Sequence, residues 1–279
     1  MIILDGKNIS KKIFENLKRE ISESGIGPKL AIVNVGKNPA SQKFIAEKQK
    51  RAEEIGISIE IYNFKEDCST KDLGEEIFKL KENRDIDGII IQLPLPKHID
   101  SDEILNLIPK EKDPDVLSFV SFEKFSVGAS EILPPVAGAV REFFSEYGID
   151  YKHAYTVVLG RGRLVGRPVA AWLKNEGATF AIVDENTKDS DNIIKSGDII
   201  ISGIGKPKII GADIIKEGAV VIDAGTSESG GKLVGDVDFE EVAPKVSFIT
   251  PVPGGVGPVT IAMLFSNLFT LAQNKLKNV

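Results

Sequence analysis

A glycine-rich loop that could bind phosphate follows a predicted strand, Tyr155–Gly160, and opens a predicted helix. It reads Gly160-Arg-Gly-Arg-Leu-Val-Gly166, and such a turn can bring backbone amides and a helix N-terminus close to a phosphate. Its glycine spacing is one residue longer than the dinucleotide fingerprint, so a plain strand-to-helix turn is an equal alternative for the loop alone. Asp184 and Glu185 follow the end of the next predicted strand at Val183, where an acidic group can hold ribose hydroxyls. Loop and acids together predict a dinucleotide site.

A second loop with ligand-binding character, Thr250-Pro-Val-Pro-Gly-Gly-Val-Gly-Pro-Val-Thr260, precedes an apolar helical run. Its prolines restrict φ, and its glycines open conformations that other residues avoid. A tight turn before a helix is the plain alternative. Eleven residues with so little side-chain bulk favour instead a shaped loop with exposed backbone amides.

The elements that must position these loops form two α/β halves. In the first half, helical and strand patterns alternate over Asn8–Ser22, Lys29–Val35, Gly36–Ile55, Ile57–Phe64, Ser69–Asn83, Asp87–Gln92 and Asp100–Ile108. After an irregular region, Lys112–Pro135, the second half continues with Val136–Tyr147, Tyr155–Gly160, Gly166–Asn175, Thr179–Val183, Asp198–Ser202 and Val220–Asp223. Strands that alternate with helices predict a parallel, doubly wound sheet. We expect the domain boundary near residues 118–136.

Composition excludes several functional classes. The 279 residues are 42% hydrophobic with a net charge of −6, which predicts a soluble globular protein and argues against a general nucleic-acid or anionic-membrane binder. One cysteine, Cys68, excludes an intrachain disulfide, and only two histidines weaken the case for a metal site, so we expect no metal. The N-terminus lacks a signal-peptide pattern, and no apolar run reaches the roughly 18 residues of a membrane span. We therefore expect a cytoplasmic protein.

The motifs of this chain resemble those of the bifunctional methylenetetrahydrofolate dehydrogenase/methenyltetrahydrofolate cyclohydrolase family. The resemblance covers nearly the whole length, and it rests on both loops above and on Val35-Gly-Lys-Asn-Pro-Ala-Ser41, Lys48, Gln92-Leu-Pro-Leu-Pro96, Lys112-Asp-Pro-Asp115 and Gly235-Asp-Val-Asp-Phe239. It implies oxidation of 5,10-methylenetetrahydrofolate with NAD(P) and hydrolysis of the product, in one-carbon metabolism and purine biosynthesis. It also implies a homodimer that binds tetrahydrofolate derivatives.

The resemblance implies an architecture as well. An N-terminal α/β folate domain, residues 1–135, would be completed by a C-terminal helix, residues 257–279. A Rossmann-like, doubly wound domain, residues 136–256, would bind the dinucleotide, with the active-site cleft between the two domains.

By resemblance, the catalytic residues are Lys48, Gln92 and Asp115. Lys48 would transfer protons during hydration of the methenyl bridge, which requires a pKa lowered towards neutrality. Gln92 would orient Lys48, and Asp115 would hydrogen-bond the pterin ring. The implied substrate-binding residues are Phe44, Leu93, Pro253, Gly255 and Val256. The implied cofactor-binding residues are Gly160, Arg161, Gly162, Leu164, Val165, Gly166, Asp184, Glu185, Gly203, Gly225, Thr226 and Thr260.

The chain departs from the family pattern at five places: Phe44 replaces a tyrosine, Lys112-Asp-Pro-Asp-Val116 replaces Lys-Asp-Val-Asp-Gly, Pro134-Pro-Val-Ala137 replaces Pro-Cys-Thr-Pro, Gly160-Arg-Gly162 replaces Gly-Arg-Ser, and Asp184-Glu185 replaces His-Ser. Carboxylates at the last position would repel the 2′-phosphate of NADP, so we expect NAD to be favoured over NADP.

Three alternatives stay open at this point. A dehydrogenase with weak or absent cyclohydrolase activity would follow if the absence of a tyrosine hydroxyl at position 44 weakens the polar network around Lys48. A catalytically silent folate- or nucleotide-binding paralogue is disfavoured because the catalytic residues and the Pro-Gly-Gly loop are retained. Another amino-acid-type dehydrogenase of the same two-domain plan is disfavoured by Gln92-Leu-Pro-Leu-Pro96.

Overall fold

The computed structural model describes residues 1–229 and 232–277. The helices are α1 (Gly6–Ser24), α2 (Pro39–Ile55), α3 (Thr70–Glu82), α4 (Ser101–Leu105), α5 (Phe119–Ser126), α6 (Pro135–Tyr147), α7 (Gly166–Asn175), α8 (Ser190–Ser196), α9 (Phe239–Val242) and α10 (Val256–Lys277). The strands are β1 (Ile2–Ile3), β2 (Lys29–Val35), β3 (Ser58–Phe64), β4 (Gly88–Ile91), β5 (Tyr155–Leu159), β6 (Thr179–Val183), β7 (Ile199–Ser202), β8 (Val220–Asp223), β9 (Ser227–Ser229), β10 (Lys232–Val234) and β11 (Phe248–Ile249).

The chain divides into two compact units. Unit A comprises residues 12–125, residues 129–134 and the C-terminal segment from Leu264, and unit B comprises residues 1–11, 126–128 and 135–263. The predicted division at residue 135 differs from this in two main respects. Residues 1–11 lie in unit B because β1 pairs in parallel with β11, and the first third of α10 also lies in unit B. Neither the pairing of β1 with β11 nor the division of α10 between the two units leaves a local signal in the sequence.

Unit A contains a parallel three-stranded sheet in the order β3-β2-β4. The central strand, β2, is a continuous apolar run because α/β packing covers both of its faces, and residues 30–35 are all buried. The chain moves from β2 to one side for β3 and to the other side for β4. The topological switch point of this sheet therefore lies between β2 and β4, where ligands of open α/β sheets bind.

Unit B contains a parallel six-stranded sheet in the order β1-β11-β8-β7-β5-β6, together with the antiparallel hairpin β9-β10. Its side chains form one apolar core that includes Val157, Ile200 and Val221 from the three central strands. The order places the switch point between β5 and β7. The parallel, doubly wound sheet expected from the alternating pattern is confirmed.

Two predicted segments needed correction. The helix expected over residues 100–108 is limited to α4, Ser101–Leu105, and the region read as irregular contains α5, Phe119–Ser126. The C-terminal helix α10 is long and apolar enough to cross a membrane by length and composition, which a search for unbroken apolar runs overlooks. Since 61% of its most apolar window is buried inside the protein, core packing accounts for that composition.

Candidate active site

Lys48 and Gln92 meet at the switch point of the unit A sheet. Helix α2 starts where the Asn38 side chain accepts a hydrogen bond from the Ser41 amide (3.1 Å), and it ends at Gly56 with φ 83°. Gln92 follows β4 directly, and its amide donates to the Val33 carbonyl (2.8 Å), which extends the strand pairing by one residue. The Lys48 ammonium donates to Gln92 Oε1 at 2.9 Å. An amide oxygen thus orients the amine without adding a charge.

Asp115 is the acidic partner of Lys48. Burial raises the pKa of Asp115 to about 6, against the opposing effect of Lys48 and with a smaller contribution from Asp113. Burial also lowers the pKa of Lys48, while the Asp115 charge raises it. Each group is ionised more easily because the other is present. Neighbouring groups whose pKa values are shifted by burial and by each other are typical of proton-transfer sites.

A buried carboxylate, Asp113, shapes the turn that carries Asp115. It accepts hydrogen bonds from the amides of Leu117 (3.2 Å) and Ser118 (2.8 Å). Within this turn Val116 is 1% exposed and has φ 56°, a conformation that β-branched residues strongly avoid. The departure from glycine at this position is therefore accommodated with backbone strain, and Asp115 keeps its place beside Lys48.

Two of the residues predicted to contact substrate, Phe44 and Leu93, lie next to Lys48 and Gln92 along the chain. Phe44 is half-buried and precedes Lys48 by one helical turn, so the two side chains share a face of α2. Leu93 packs on the unit A core, and its carbonyl accepts a hydrogen bond from the Gln92 side-chain amide (3.0 Å).

Lys112 stabilises the end of α3. Its ammonium donates to three carbonyls there, including that of Asn83 (2.6 Å).

The glycine-rich loop of unit B is built so that only glycine fits at key positions. Gly160 has φ 96°, and a Cβ atom at Gly166 would overlap the Gly160 carbonyl oxygen. A Cβ atom at Gly203, which follows β7, would overlap the Val165 side chain. A Cβ atom at Gly160 would come within 3.0 Å of the Gly203 carbonyl oxygen, so the loops after β5 and β7 pack backbone to backbone at the switch point. Such a cradle fits the phosphates of a dinucleotide, beside the exposed Gly162 and Leu164.

Asp184 stands at the carboxyl end of β6 and binds Arg161. The Arg161 Nε donates to Asp184 Oδ2, while Asp184 Oδ1 accepts from the Thr187 hydroxyl and the Asn186 amide, both at 3.0 Å. These hydrogen bonds, that from Thr187 first, lower the pKa of Asp184. Glu185 points into solvent. Asp184 is thus a fixed hydrogen-bond acceptor at the carboxyl end of β6.

Two buried carboxylates, Asp236 and Asp223, fix the loops that follow β7 and β8. Neither was among the predicted site residues. Asp236 is fully buried and accepts hydrogen bonds from the Ser202 hydroxyl and from the three successive amides of residues 204–206, at 2.7–2.9 Å. Asp223 accepts from the amides of Gly225, Asp236 and Val237, and burial raises its pKa to about 6. Asp223 ends an apolar strand, and Asp236 lies in the Gly-Asp-Val-Asp motif, so both had a visible signal.

The Pro-Gly-Gly loop folds back on the N-terminus of the chain. The Gly255 amide donates to the Pro251 carbonyl (2.8 Å), and a Cβ atom at Gly6 would overlap the Gly255 carbonyl oxygen. Val256 is buried at the start of α10, and the Thr260 hydroxyl donates to its carbonyl (3.0 Å). The backbone of this loop is held closely by Gly6, a contact that the sequence did not reveal.

The predicted site residues thus fall into two groups. Those brought together in unit A are Phe44, Lys48, Gln92, Leu93 and Asp115. Those in unit B are Gly160, Arg161, Gly162, Leu164, Val165, Gly166, Asp184, Glu185, Gly203, Gly225, Thr226, Pro253, Gly255, Val256 and Thr260. Gly225 is buried against the Asp236 carboxylate, whereas Thr226 is exposed. Among residues 1–229 and 232–277, no group of three or more acidic, histidine or cysteine side chains could hold a metal ion.

Two family models match the chain. The catalytic domain of tetrahydrofolate dehydrogenase/cyclohydrolase matches residues 4–115, and the NAD(P)-binding domain of the same family matches residues 134–276. The bifunctional protein FolD of Nitratiruptor sp. is 44% identical over 279 residues, which covers 99% of each chain.

Solved structures agree over the full length. The bifunctional methylenetetrahydrofolate dehydrogenase/cyclohydrolase of Campylobacter jejuni superimposes with a TM-score of 0.93 at 40% identity, covering 98% of this chain and 99% of the other. The Trypanosoma brucei enzyme, solved with NADP and an inhibitor, gives a TM-score of 0.94 at 34% identity and 99% coverage of both chains.

Proposed function

The chain belongs to the tetrahydrofolate dehydrogenase/cyclohydrolase family, and we propose on that membership how its residues divide the two reactions. It is an enzyme that oxidises 5,10-methylenetetrahydrofolate with NAD(P) and hydrolyses the resulting 5,10-methenyl compound to 10-formyltetrahydrofolate. The relatives do not favour the alternative of a dehydrogenase alone. The observation that carries the assignment of roles is the half-buried Lys48–Gln92 contact of 2.9 Å beside Asp115.

Hydrolysis depends on proton transfer at Lys48. Water adds to the bridge carbon, and the neutral amine of Lys48 accepts the proton that the water loses. The bond from this carbon to N5 then breaks as the hydroxyl on the carbon becomes the formyl carbonyl. The Lys48 ammonium gives its proton to the leaving nitrogen, and the hydroxyl proton is released to solvent. Burial supports both roles because a lowered pKa makes the Lys48 ammonium a better proton donor and increases the fraction of neutral amine. Gln92 holds the amine in one direction.

Asp115 has two roles in this proposal. Its carboxylate accepts hydrogen bonds from the N–H groups of the pterin, which orients the substrate. Its charge also stabilises the Lys48 ammonium after the first proton transfer, since Asp115 raises the pKa of Lys48. Phe44 and Leu93 supply apolar surface for the flat rings.

Oxidation depends on positioning, because the substrate nitrogens stabilise the cation that develops when hydride leaves. The bound dinucleotide supplies the hydride acceptor. The backbone of Gly160 to Gly166 would hold its phosphates, and Asp184 would accept from a ribose hydroxyl. The Pro-Gly-Gly loop and Thr260 would lie near the substrate and the nicotinamide. Unit A is then the folate unit and unit B the dinucleotide unit. The proposal also includes a homodimer and a location in the cytoplasm.

A single assay series tests this proposal. Purified enzyme should convert 5,10-methylenetetrahydrofolate with NAD or NADP and should also accelerate the decay of 5,10-methenyltetrahydrofolate. Lys48→Met should lower the hydrolysis rate by about 10²–10⁴-fold, the usual contribution of a positioned proton-transfer group. Lys50→Met is the matched control, because Lys50 is an exposed lysine of the same helix. Full hydrolysis by Lys48→Met, or absence of dehydrogenase activity with both dinucleotides, would refute the respective role.

We also propose that NAD is favoured over NADP. One support is that Asp184 already binds the Arg161 guanidinium, so Arg161 attracts a 2′-phosphate less strongly. The other is that Asp184 and Glu185 place negative charge at the carboxyl end of β6. The NADP complex of the T. brucei enzyme shows that a family member accepts NADP. We expect a higher kcat/KM with NAD, and a shift towards NADP in Asp184→Ser but a smaller shift in Glu185→Gln. A tenfold preference of the wild type for NADP would contradict this proposal.

A further inference from the structure

The turn that carries Asp115 is bound from α10 by one buried side chain. Asn267 is 4% exposed, and its Nδ2 donates hydrogen bonds to the Pro114 carbonyl at 2.8 Å and to the Leu133 carbonyl at 2.7 Å. All of these residues lie in unit A, and both carbonyls lie outside helices and strands. Both N–H groups of the amide therefore have an acceptor, and one of them holds the residue directly before Asp115.

The Pro114 carbonyl belongs to the peptide group that joins Pro114 to Asp115. Because a peptide group is planar, a hydrogen bond to this oxygen fixes the plane that also contains the Asp115 nitrogen and Cα. On the other side of Asp115, the Asp113 carboxylate accepts from the Ser118 amide at 2.8 Å. The Asp115 backbone is thus anchored on both sides, and the bond from Asn267 is the anchor that comes from a segment 153 residues away.

Packing holds Pro114 in the same place. A Cβ atom at Gly88, the first residue of β4, would come within 3.2 Å of Pro114 Cγ and 2.5 Å of Leu268 Cδ1. The Pro114 ring therefore lies against the start of β4, close to the residue that follows Asn267 in α10. The hydrogen bond and the ring contact restrain the same residue from two different elements.

Backbone strain makes such an anchor necessary. Val116 follows Asp115 with φ 56°, a conformation that a β-branched residue keeps only when its surroundings hold it there. If the turn were released from Asn267, Val116 would relax towards negative φ. The same rotation would move the neighbouring Asp115 carboxylate away from Lys48.

We propose that Asn267 is a positioning residue, which keeps the Asp115 carboxylate beside Lys48 and aligned with the pterin. It acts through the Pro114–Asp115 peptide and needs no contact with the substrate. This inference rests on the proposed function, since Asp115 binds the folate there.

The test is a double-mutant cycle in the dehydrogenase assay with 5,10-methylenetetrahydrofolate. Asn267→Leu removes the two N–H groups with little change in volume. We expect it to raise KM for the folate about tenfold, the loss typical of a disrupted hydrogen bond to a charged group. The kcat and the dinucleotide KM should stay within about twofold of the wild type. In an Asp115→Asn background the same substitution should leave the folate KM almost unchanged, because the carboxylate that it positions is absent.

Asn274→Leu is the matched control. Asn274 has the same amide on α10, and it donates to the Glu131 carboxylate at 2.7 Å. Its folate KM should equal that of the wild type. If Asn267→Leu does not fold, Asn267→Ala enters the same cycle with the same expectation, because the smaller side chain lets water reach the two carbonyls.

Three results would overturn the inference: a wild-type folate KM in the folded Asn267 variant, an equal rise in the Asn274 control, or effects of Asn267 and Asp115 that multiply independently in the cycle. An unchanged folate KM in Asp115→Asn would contradict the proposed function instead, so the two failures are distinguishable.

Discussion

Protonation of Asp115 should weaken folate binding as the pH falls through about 6. Burial raises the pKa of this carboxyl from 3.8 to about 6. At about pH 5 only about one tenth of the carboxyl groups are then ionised, whereas more than about nine tenths would be ionised without the shift. If the ionised Asp115 carboxylate accepts hydrogen bonds from the pterin N–H groups, KM for the folate should increase about tenfold between about pH 7.5 and pH 5. An unshifted carboxyl would leave KM almost constant over this range.

The assay measures KM for 5,10-methenyltetrahydrofolate from initial hydrolysis rates between about pH 5 and pH 8, after subtraction of the uncatalysed rate. Asp115→Asn should raise KM at neutral pH and remove most of its pH dependence. Unfolding should not imitate the effect through the two carboxyls with raised pKa, Asp115 and Asp223. A raised carboxyl pKa means that the folded state binds more protons between about pH 4 and 6, so this contribution to stability is lost as the pH rises, not as it falls.

Two results would refute the reasoning. The first is a wild-type KM that stays constant down to about pH 5, which would mean that Asp115 is not shifted or not bound to the pterin. The second is an unchanged pH limb in Asp115→Asn, which would assign the limb to another group. The dinucleotide KM, measured in the dehydrogenase reaction over the same pH range, serves as a control, because hydrogen bonds lower the pKa of Asp184 from its ordinary value of 3.8.

Three further substitutions test the backbone and packing. Val116→Gly should be more stable than Val116→Ala by about 1 kcal/mol in urea unfolding, because φ is 56° there, and the reverse order would show that the turn is unstrained. Thr156→Val should raise the free energy of unfolding by about 1 kcal/mol, since Thr156 Oγ1 is buried without a hydrogen-bond partner; a loss of stability would mean that the hydroxyl is satisfied. Gly166→Ala should raise the dinucleotide Kd at least about tenfold while hydrolysis continues, and unchanged affinity would contradict the packing against Gly160.

The sequence alone predicts the features that depend on neighbouring residues. Continuous apolar runs such as Lys29–Val35 identify buried parallel strands, and the glycines from Gly160 to Gly166 identify a loop that brings backbone close to a ligand. The spacing of Phe44 and Lys48 shows that they share a helix face. Family motifs add the expected chemistry of Lys48. These signals are local, so they survive without knowledge of the fold.

Only the tertiary structure decides which distant residues meet and what their surroundings do to them. Lys48 and Gln92 are 44 residues apart, and their contact requires the β3-β2-β4 order. The pKa of Asp115 depends on burial and on Lys48, neither of which its own sequence neighbours record. The same holds for Asp236, whose motif is visible but whose four hydrogen bonds depend on a loop about thirty residues away. Sequence patterns reflect local periodicity and backbone preference, whereas desolvation and charge coupling arise only when the sheet brings separate segments together.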